Sequence, residues 1–398
     1  MSVINRVKAI LPESAWQDVW LVGGTVRYLL LEQPLQDIDL VAALAAADLE
    51  AAGFRPIAPV SSRPIWFRHI PELGNLEITV ITRPSHLEHD LRRRDFTINA
   101  LALDLDGRLI DPLNGQADLA AGQLRVCSGT ALQDDPIRIF RAFRFAADGW
   151  NLHADTQQQL TSRQWEPACS AIPVERFSRE LQRSLSKQLP NLLFQLMISY
   201  QVGRTYLPEL FAMPQVPAGP LQYHPEGDLL THSLQVMQRV AAKTDAPLPR
   251  FCGLFHDLGK LSTDPAHYPK HHGHDNAGFK PAQKLCERLR LPSAWHKALA
   301  WTCSLHTKAN NWAELRTATK IRLAEQALKA GITEILPLVS SADKPDSSGM
   351  PGWETALQVA VMATAELGID QATLLQMPVQ HRADHILQTR IHRFRETI

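Results

Sequence analysis

The chain has 398 residues, of which 45% are hydrophobic and 21% are charged. This composition is typical of a globular protein with buried cores, and the length allows about two or three domains. Lys and Arg together number 41, as do Asp and Glu, so the net charge is zero. That balance argues against a protein that coats nucleic acid non-specifically, although it leaves room for a local basic groove.

The sequence carries no signal for secretion or for membrane insertion. Residues 1–14 lack the apolar core and the small-residue cleavage site of a signal peptide. No stretch approaches the ~20 apolar residues of a membrane span. The five cysteines are scattered and form no Cys-x-x-Cys pair, which fits a reducing compartment better than a disulfide framework. We therefore expect a cytoplasmic protein with no membrane partner.

The first third of the chain alternates between helical and strand patterns. In order, it predicts a helix at 2–10, a buried strand at 19–24, a helix at 25–32, a strand from Asp37, a helix ending at Gly53 and a strand at 75–83. From about residue 132 the strands fade and helical spacing dominates. A Pro/Gly-rich passage at 208–228 interrupts it, and we interpret this passage as a linker or a docking loop. The pattern indicates a mixed α/β region followed by all-α regions.

A glycine turn closes the first predicted strand. Gly23 and Gly24 have no Cβ atoms, so backbone N–H groups can approach an anion there, and the following helix N-terminus favours phosphate. Arg27 adds a cation on the first turn of that helix. Strand–helix corners often carry glycine for packing alone, so this turn is weak evidence by itself.

Two carboxylates follow in the next predicted strand. Asp37 and Asp39 are two residues apart, so in an extended segment they point to one face. Such a pair beside a phosphate-binding turn forms a hard-oxygen site for Mg²⁺, which activates a hydroxyl and neutralises a leaving pyrophosphate. Glu77, in the strand at 75–83, is a candidate third carboxylate. The alternative is a solvated loop and a surface glutamate.

An arginine-rich segment precedes the predicted helical regions. Arg93, Arg94 and Asp95 suit the phosphates and ribose hydroxyls of a nucleotide. Asp135 and Arg138 lie three residues apart, and we expect them to share a helix face that reads the edge of a base. The alternative for this second pair is a helix cap with a local ion pair.

These motifs together resemble the class II tRNA nucleotidyltransferases, or CCA-adding enzymes, and the related bacterial poly(A) polymerases. The matching stretches are LVGGTVRYLLL, DID, RRRDFTINALA, DPLNGQADL and DDPIRIFRAFRF, in the family's order over residues 19–145. The resemblance implies attack by the tRNA 3′-hydroxyl on the α-phosphate of CTP or ATP. It also implies that Asp37 and Asp39 hold Mg²⁺, with Glu77 as a third catalytic carboxylate. The implied nucleotide-binding residues are Gly23, Gly24, Arg27, Arg93, Arg94, Asp95, Asn99, Asp135, Arg138, Arg141 and Arg144.

The chain departs from the family pattern at several positions. Tyr28 stands where Asp is usual, Glu32 where Gly is usual, and Asp134 where Glu is usual. In addition, only the stretch ITVITRPSHLEHDLR separates Glu77 from the arginines. CCA-adding relatives carry a longer flexible loop there, which helps to switch specificity from CTP to ATP, and bacterial enzymes that add only cytidines lack it. We therefore expect CC addition, with full CCA addition as the alternative.

Histidine and aspartate residues form a second set of candidates beyond residue 224. Histidine and carboxylate ligands drawn from several helices are a common way to build a hydrolytic metal site. A single histidine is more often structural, but this region offers many. They are His232, His256, Asp257, His271, His272, His274, His306 and Asp343.

This second set resembles the HD superfamily, in the form appended to CCA-adding enzymes. The stretches THSL, LFHDLGK, PKHHGHDNAGF and SADKPD carry the likeness. It implies metal-dependent phosphodiesterase or phosphatase activity, for example on 2′,3′-cyclic or 2′-phosphates, with a transition metal such as Ni²⁺. The implied ligands are His232, His256, Asp257 and Asp343. Further candidates for a second metal or the phosphate are His271, His272, His274 and His306, and Lys260 is a candidate to neutralise a phosphate.

Basic residues with helical spacing offer a path for tRNA. Arg138, Arg141 and Arg144 recur every three residues, and Arg176, Arg179, Arg183 and Lys187 continue the spacing. Behind a nucleotidyltransferase, such faces suit the phosphates of the acceptor stem, where RNA is read by shape. A plain solvated face is the alternative.

The sequence thus predicts an α/β nucleotidyltransferase head followed by an all-α neck and body and an all-α HD domain. We place the head at 1–131, the neck at 132–207, the HD domain at 208–345 and a helical tail at 346–398. Two other functions remain open: a phosphohydrolase whose head is a catalytically silent RNA-binding module, and a poly(A) polymerase. The HD region argues against the latter, because relatives of that type lack it.

Overall fold

The computed structural model describes residues 2–35, 37–57 and 65–397. It separates into two compact units, with the first extending to Ala168 and the second beginning at Cys169. The first unit contains a β-sheet and the second is helical, which confirms the predicted fold class. Within the described residues, no helix combines the length and the hydropathy needed to cross a bilayer.

The first unit alternates helices and strands. Its helices are α1 (Val3–Lys8), α2 (Gly23–Leu30), α3 (Ala46–Ala51), α4 (Leu87–Arg92), α5 (Gly115–Ala120), α6 (Ala131–Asp134), α7 (Ile137–Ala147) and α8 (Ala154–Thr161). Its strands are β1 (Val19–Val22), β2 (Asp37–Ala42), β3 (Arg55–Ile57), β4 (Ile65–Ile70), β5 (Gly74–Val80), β6 (Ala102–Asp104), β7 (Leu109–Ile110), β8 (Gln123–Leu124) and β9 (Asn151–Leu152).

Among the described residues, seven strands form one mixed sheet in the order β3-β4-β5-β2-β1-β6-β7. The β2–β5 pair is parallel and the other neighbours are antiparallel. Successive residues of a strand point to opposite faces, and β1 is apolar on both. Leu21 packs into one buried cluster, while Trp20 and Val22 pack into another. The sheet is therefore covered by apolar side chains on both faces around β1 and β2.

The second unit consists of helices joined by short turns, and α9 (Glu166–Ser170) contains the division between the units. The helices are α10 (Val174–Leu185), α11 (Asn191–Ser199), α12 (Pro208–Ala212), α13 (Leu229–Ala241), α14 (Pro247–Phe255), α15 (His274–Arg288), α16 (Ser293–Asn310), α17 (Thr317–Ala330), α18 (Ile335–Asp343), α19 (Trp353–Val361), α20 (Gln371–Gln376) and α21 (Val379–Thr397).

Two groups of helices pack within the second unit. Helix α16 packs against α15, α14 and α18, and α13 packs against α14 and α18. Helix α17 packs against α19 and α21, so the C-terminal helix belongs to the second group. The first group carries the predicted histidines and aspartates. The interior there is built from apolar side chains such as Phe251, Phe255 and Leu299, all of them buried.

The passage 208–228 differs in part from the predicted linker. It begins with α12 and a short 3₁₀ turn at Met213–Gln215. The remainder, which we call the 217–228 loop, is closed by a bridge between Pro217 and Asp228. Two hydrogen bonds reinforce the closure, from Ala218 N–H to Gly227 O at 2.9 Å and from Leu229 N–H to Val216 O at 2.8 Å.

Candidate active sites

The turn between β1 and α2 brings a carboxylate and a guanidinium close to the backbone. Gly23 has a φ of +60°, in the left-handed region. A Cβ atom on Gly23 would lie 2.8 Å from Arg94 Nη1 and 3.6 Å from Asp39 Oδ2. A Cβ on Gly24 would lie 3.4 Å from the same Asp39 oxygen. Glycine is thus required at position 23 both by its backbone conformation and by the side chain opposite.

Three predicted carboxylates share one face of the sheet. In the parallel β2–β5 pair, Asp37 lies opposite Asn75 and Asp39 lies opposite Glu77. Residues paired across neighbouring strands point to the same face, so the structure brings Asp37, Asp39 and Glu77 together. We call them the carboxylate face. Asn75 Nδ2 donates to Asp37 Oδ1 at 3.0 Å.

Asp39 is the most enclosed member of the carboxylate face. Its backbone N–H donates to Thr25 Oγ1 at 2.7 Å, which fastens β2 to α2. Burial raises the pKa of Asp39, and the Arg94 guanidinium and the Gly24 N–H oppose that rise. The sequence analysis did not find Thr25, because a threonine inside a helical pattern carries no distinctive signal.

Arg94 is held beside Asp39 by groups behind it. Its Nε and Nη2 atoms donate to Asp90 Oδ2 at 3.2 Å and 3.1 Å, and Nη1 donates to Asn99 O at 3.4 Å. Burial lowers the pKa of Arg94, whereas Asp39 and Asp95 oppose that change. Asp90 is buried and was not predicted. The guanidinium therefore has a fixed position next to the carboxylate face.

Asp95 joins the turn after α4 to helix α7. The Arg141 guanidinium donates to Asp95 Oδ2 at 2.8 Å and 2.6 Å. Asn99 Nδ2 and the Phe96 N–H donate to Asp95 Oδ1 at 2.9 Å and 2.8 Å. Burial alone would raise the pKa of Asp95, but Arg141 and Asn99 outweigh it and hold that pKa well below its ordinary value. The carboxylate orients Arg141.

Arg27 lies in the interior of the first unit. It donates to Asn99 Oδ1, and its guanidinium lies 4.8 Å from the Tyr28 ring centroid and 5.1 Å from that of Phe145. Burial lowers the pKa of Arg27, although Tyr28 opposes that change. The structure thus brings Arg27 and Asn99 together, behind the glycine turn.

The prediction that Asp135 and Arg138 share a helix face is wrong. Asp135 has extended backbone angles (φ −150°, ψ 96°) and follows α6, while α7 begins at Ile137. The physical reason is Pro136, because a residue before proline is disfavoured in the helical region. The residue directly before α7 is Pro136, and the Arg138 N–H donates to Asp135 O at 3.0 Å.

Arg138 is oriented by backbone carbonyls. It donates to Ala131 O at 3.0 Å and to Arg93 O at 2.7 Å. Arg93 itself is exposed, whereas Arg144 lies on α7 with its guanidinium 4.4 Å from the Phe145 ring centroid. Apart from Arg27 on α2, the predicted nucleotide-binding arginines lie in the turn after α4 and on α7, and the hydrogen bond from Arg138 to Arg93 O joins these two segments.

The helices of the second unit bring six predicted residues to one place. We call this set the histidine–aspartate centre. Its members are His232 on α13, His256 and Asp257 directly after α14, His274 at the start of α15, His306 on α16 and Asp343 at the end of α18.

Asp257 is the middle of this centre. His274 Nε2 and His306 Nε2 both lie 3.2 Å from Asp257 Oδ1. Lys260 Nζ lies 2.6 Å and His256 Nε2 3.3 Å from Asp257 Oδ2. Burial alone would raise the pKa of Asp257, but Lys260 and His256 outweigh it and lower that pKa well below its ordinary value. Asp257 is thus an anion surrounded by nitrogen atoms.

Asp343 forms the other side of the centre. Its Oδ1 lies 3.0 Å from His232 Nε2 and 3.5 Å from His256 Nε2. Asn310 Nδ2 donates to Asp343 Oδ2 at 2.5 Å, which fixes the carboxylate. Asn310 was not predicted, because an asparagine at a helix end has many ordinary roles.

Three of the rings are oriented by backbone carbonyls. The Nδ1 atom of each lies 2.7–2.9 Å from the carbonyl three residues earlier: His256 with Gly253, His274 with His271, and His306 with Cys303. A carbonyl only accepts, so Nδ1 carries the proton in each ring and Nε2 faces the centre.

Two predicted histidines lie outside the centre. His271 Nε2 lies 2.8 Å from Pro217 O, and its Nδ1 lies 2.7 Å from Thr263 Oγ1. His272 is exposed. The structure therefore places His271 against the 217–228 loop, with both of its ring nitrogens bonded to groups outside the centre.

Glu226 and His224 are two neighbours of the centre that the sequence analysis missed. Glu226 Oε1 lies 2.7 Å from His232 Nδ1 and 3.0 Å from His224 Nδ1. The only sequence signal was their place in a Pro/Gly-rich passage just before the first histidine helix.

Known families and proteins match both regions. The poly A polymerase head domain family matches residues 67–125, and the HD domain family matches residues 229–346. A "Multifunctional CCA protein" of Hahella chejuensis is 34% identical over 353 residues, which cover 84% of this chain and 83% of that protein. The chain belongs to the CCA-adding tRNA nucleotidyltransferase family. This membership confirms the predicted resemblance and makes the chain an enzyme.

Solved structures of CCA-adding enzymes share the fold. The Bacillus stearothermophilus enzyme in complex with CTP has a TM-score of 0.62 at 21% identity, covering 100% of this chain and 93% of that one. The Thermotoga maritima enzyme complexed with tRNA has a TM-score of 0.60 at 18% identity, covering 95% of this chain and 87% of that one.

The nucleotidyltransferase and HD domains of CCA-adding enzymes are metal-dependent, and the residues here fit that requirement. The carboxylate face offers hard oxygen ligands. In the histidine–aspartate centre, His232 Nε2, His256 Nε2 and Asp257 Oδ1 are buried and make no hydrogen bond within the described part of the chain. Buried polar atoms are costly without a partner. Crowded nitrogen and oxygen atoms of this kind are typical of metal ligands.

Proposed function

We propose that this enzyme adds cytidines from CTP to the 3′ end of tRNA and stops before the terminal adenosine. The short connection between β5 and the arginine segment is the observation that carries the proposal. After Val80 the chain forms a 3₁₀ turn at Pro84–His86 and then enters α4, which ends at Arg92. This short connection therefore does not contain the long flexible loop that the family resemblance associates with the switch from CTP to ATP.

The chemistry of transfer belongs to the carboxylate face. Asp37, Asp39 and Glu77 would hold Mg²⁺, which when bound supplies a positive charge for the attacking oxygen and the leaving phosphates. The tRNA 3′-oxygen forms a bond to the α-phosphorus of CTP as the bond to pyrophosphate breaks. Arg94 lies beside Asp39 and is placed to stabilise the negative charge of the phosphates.

Recognition of the base would fall to the segments that Asp95 ties together. Arg141 is fixed by Asp95, and Arg138 is fixed by two backbone carbonyls. Guanidinium groups held in this way offer donors of defined direction to the acceptors of a cytosine edge. Arg176, Arg179 and Arg183 on α10 are exposed and are proposed to contact phosphates of the acceptor stem.

Nucleotide addition to defined tRNA ends tests the proposal. A tRNA that lacks its 3′ end should incorporate labelled CTP in the presence of Mg²⁺. A tRNA that already ends in two cytidines should accept no ATP. Efficient addition of adenosine to the second substrate would mean that the enzyme completes CCA, and no incorporation of either nucleotide would mean that the head is silent.

Full CCA addition is the second candidate. The observation in its favour is that relatives at 34–38% identity, such as those of Hahella chejuensis and Xanthomonas euvesicatoria, carry the name "Multifunctional CCA protein". The ATP arm of the same assay decides between the two.

For the histidine–aspartate centre we propose a metal-dependent phosphohydrolase activity on 2′,3′-cyclic or 2′-phosphates. A transition metal such as Ni²⁺ suits imidazole ligands, and when bound it supplies Lewis-acid activation of water and of the phosphoryl group. Hydrolysis of a 2′,3′-cyclic nucleotide with added Ni²⁺ is the test, and inactivity with every divalent metal tried would refute this activity.

We also propose that the protein is located in the cytoplasm. Its five free cysteines, four of them buried, fit that reducing compartment.

A further inference from the structure

His232 differs from the other rings of the histidine–aspartate centre in how it is oriented. The Nδ1 atoms of His256, His274 and His306 each lie against a carbonyl of their own helical turn. His232 Nδ1 instead lies 2.7 Å from Glu226 Oε1, a side chain outside α13. The orientation of this ring therefore depends on a loop.

The loop is built to hold Glu226 in place. Gly219 allows the loop to fold on itself, since a Cβ there would lie 2.3 Å from His224 Cδ2. His224 Nδ1 lies 3.0 Å from the same Glu226 oxygen, and the His224 and His232 rings meet edge to face with centroids 4.9 Å apart. The Glu226 carboxylate is thus held between the His224 and His232 rings.

The base of the loop is fastened to the centre itself. Lys260 Nζ donates to Ala218 O at 2.6 Å and lies 2.6 Å from Asp257 Oδ2. His271 Nε2 lies 2.8 Å from Pro217 O. The position of the loop is therefore set by residues that also border the centre.

We propose that Glu226 is a positioning residue for the metal ligand His232. Its carboxylate accepts the Nδ1–H of His232 and so presents Nε2 to a divalent cation. This role rests on the metal centre of the proposed function. A carboxylate behind a ligating imidazole fixes the ring and makes it a stronger ligand, and its removal typically costs roughly 10–100-fold in metal affinity. His232 Nε2 lies 3.0 Å from Asp343 Oδ1, so the oriented nitrogen and a carboxylate oxygen face the same point.

Equilibrium binding of Co²⁺ to the full chain tests this role without any enzymatic readout. Excess Mg²⁺ keeps the carboxylate face occupied, so that the visible spectrum of Co²⁺ reports on the imidazole-containing centre. Glu226→Leu keeps the side-chain size but has no acceptor, and we expect Co²⁺ affinity to fall roughly 10–100-fold. Glu226→Ala is the second variant if Glu226→Leu does not fold, with the same expectation.

A conservative variant separates positioning from direct ligation. The amide oxygen of Glu226→Gln still accepts the His232 proton, so its affinity should lie between those of the wild type and Glu226→Leu. At saturating Co²⁺ the spectra of all variants should match, because no ligand is lost. A changed spectrum at saturation, together with no rescue by Gln, would make Glu226 a ligand and overturn the proposal.

The matched control is Glu209→Leu. Glu209 is a half-buried carboxylate of the same unit, but its partner is Arg288 at 2.5 Å. Its loss should leave Co²⁺ affinity unchanged. Wild-type affinity in Glu226→Leu would overturn the positioning role alone, whereas a wild-type chain that binds no Co²⁺ would overturn both this role and the proposed metal centre.

Discussion

Asp95 is a single side chain on which two segments of the first unit depend. It accepts from Arg141 on α7 and from Asn99 next to the arginine segment, and it is buried. A hydrogen bond to a charged group contributes more to stability than a neutral one, roughly 1.5–3 kcal/mol. The carboxylate thus links the stability of the fold to the position of Arg141, for which we propose a role in reading the base.

We predict that Asp95→Asn destabilises the first unit by about 1.5–3 kcal/mol at pH 7. The pKa of Asp95 is lower in the folded state than the unfolded value of about 3.9. The carboxylate therefore stabilises the fold above the unfolded pKa, and this contribution is lost as the pH falls through the folded pKa. Urea unfolding of both proteins should show a difference that is largest at pH 7 and shrinks below about pH 4.

The control for this prediction is Asp106→Asn. Asp106 pairs with Lys8 at 3.0 Å, but its side chain is 82% exposed. Exposed pairs contribute little, so the unfolding curve should stay unchanged at either pH. Equal destabilisation by the two variants would contradict the role assigned to Asp95.

Gly23 allows a second prediction at the same scale. Gly23→Ala places a methyl group 2.8 Å from Arg94 Nη1, so the guanidinium must move away from the carboxylate face. Gly107→Ala is the matched control, since it has a φ of +88° and nothing within 4 Å of the added Cβ. The positive φ should cost each variant about 1 kcal/mol in unfolding free energy. Gly23→Ala should lose more than Gly107→Ala, because the Arg94 guanidinium must also move. Only Gly23→Ala should lower the rate of cytidine addition, and equal rates would show that Arg94 has no such role.

The sequence analysis placed individual site residues well where the pattern was local. Asp37 and Asp39 meet Glu77 because strands have a period of two and β2 pairs with β5. Asn310 escaped detection because its partner Asp343 is 33 residues away. Glu226 lies close to His224 and His232 along the chain, but it stands in an irregular Pro/Gly-rich passage where no periodicity shows which side chains meet. Asp135 was misplaced because helical spacing was considered without the restriction that Pro136 imposes on the residue before it.

At the scale of elements, long periodic segments were predictable and short strands were not. Strand β5 alternates over seven residues, whereas β7 and β8 have two residues each and show no period. The pairing of β3 with β4 depends on register across the sheet, which composition does not encode. Helices α13 to α16 were predictable because apolar residues recur with helical spacing along the whole of each segment.

The contact between the 3₁₀ segment Leu258–Ser262 and α15 permits a prediction about elements. A Cβ on Gly259 would lie 1.9 Å from His274 O and 2.6 Å from Gly278 N, both backbone atoms. Gly259→Ala must therefore push apart the segments that carry Asp257 and His274. We expect Co²⁺ binding by the histidine–aspartate centre to be lost while cytidine addition persists.

Gly331→Ala serves as the control for that contact. Gly331 follows α17 with a φ of +71° and has nothing within 4 Å of an added Cβ. It should lose about 1 kcal/mol of stability and keep its Co²⁺ affinity. Retained Co²⁺ binding in Gly259→Ala would show that the two segments tolerate separation.

At the scale of the whole molecule, the two candidate sites lie in two compact units. The carboxylate face belongs to the unit ending at Ala168, and the histidine–aspartate centre to the unit from Cys169. The change in pattern near residue 132 does not coincide with the division between the two units, which lies after Ala168. The four-part division into head, neck, HD domain and tail stays a prediction.

We predict that the two proposed activities can be removed one at a time. Asp39→Asn should abolish cytidine addition and leave hydrolysis of a 2′,3′-cyclic nucleotide intact, because it removes a negative ligand from the carboxylate face. His256→Ala should do the reverse. Assays of both activities on both variants check this, and loss of both in either variant would show that the units depend on each other.

The closed base of the 217–228 loop has a consequence for chain continuity. Leu221 and Tyr223 are 70% and 73% exposed, so chymotrypsin has accessible sites within the loop. A cut after Tyr223 would leave Glu226 covalently attached to α13, and the hydrogen bonds of Ala218 and Leu229 would still join the two halves. The nicked protein should therefore bind Co²⁺ with the same affinity as the intact one. That result would show that the histidine–aspartate centre depends on the hydrogen bonds at the base of the loop and not on an unbroken backbone.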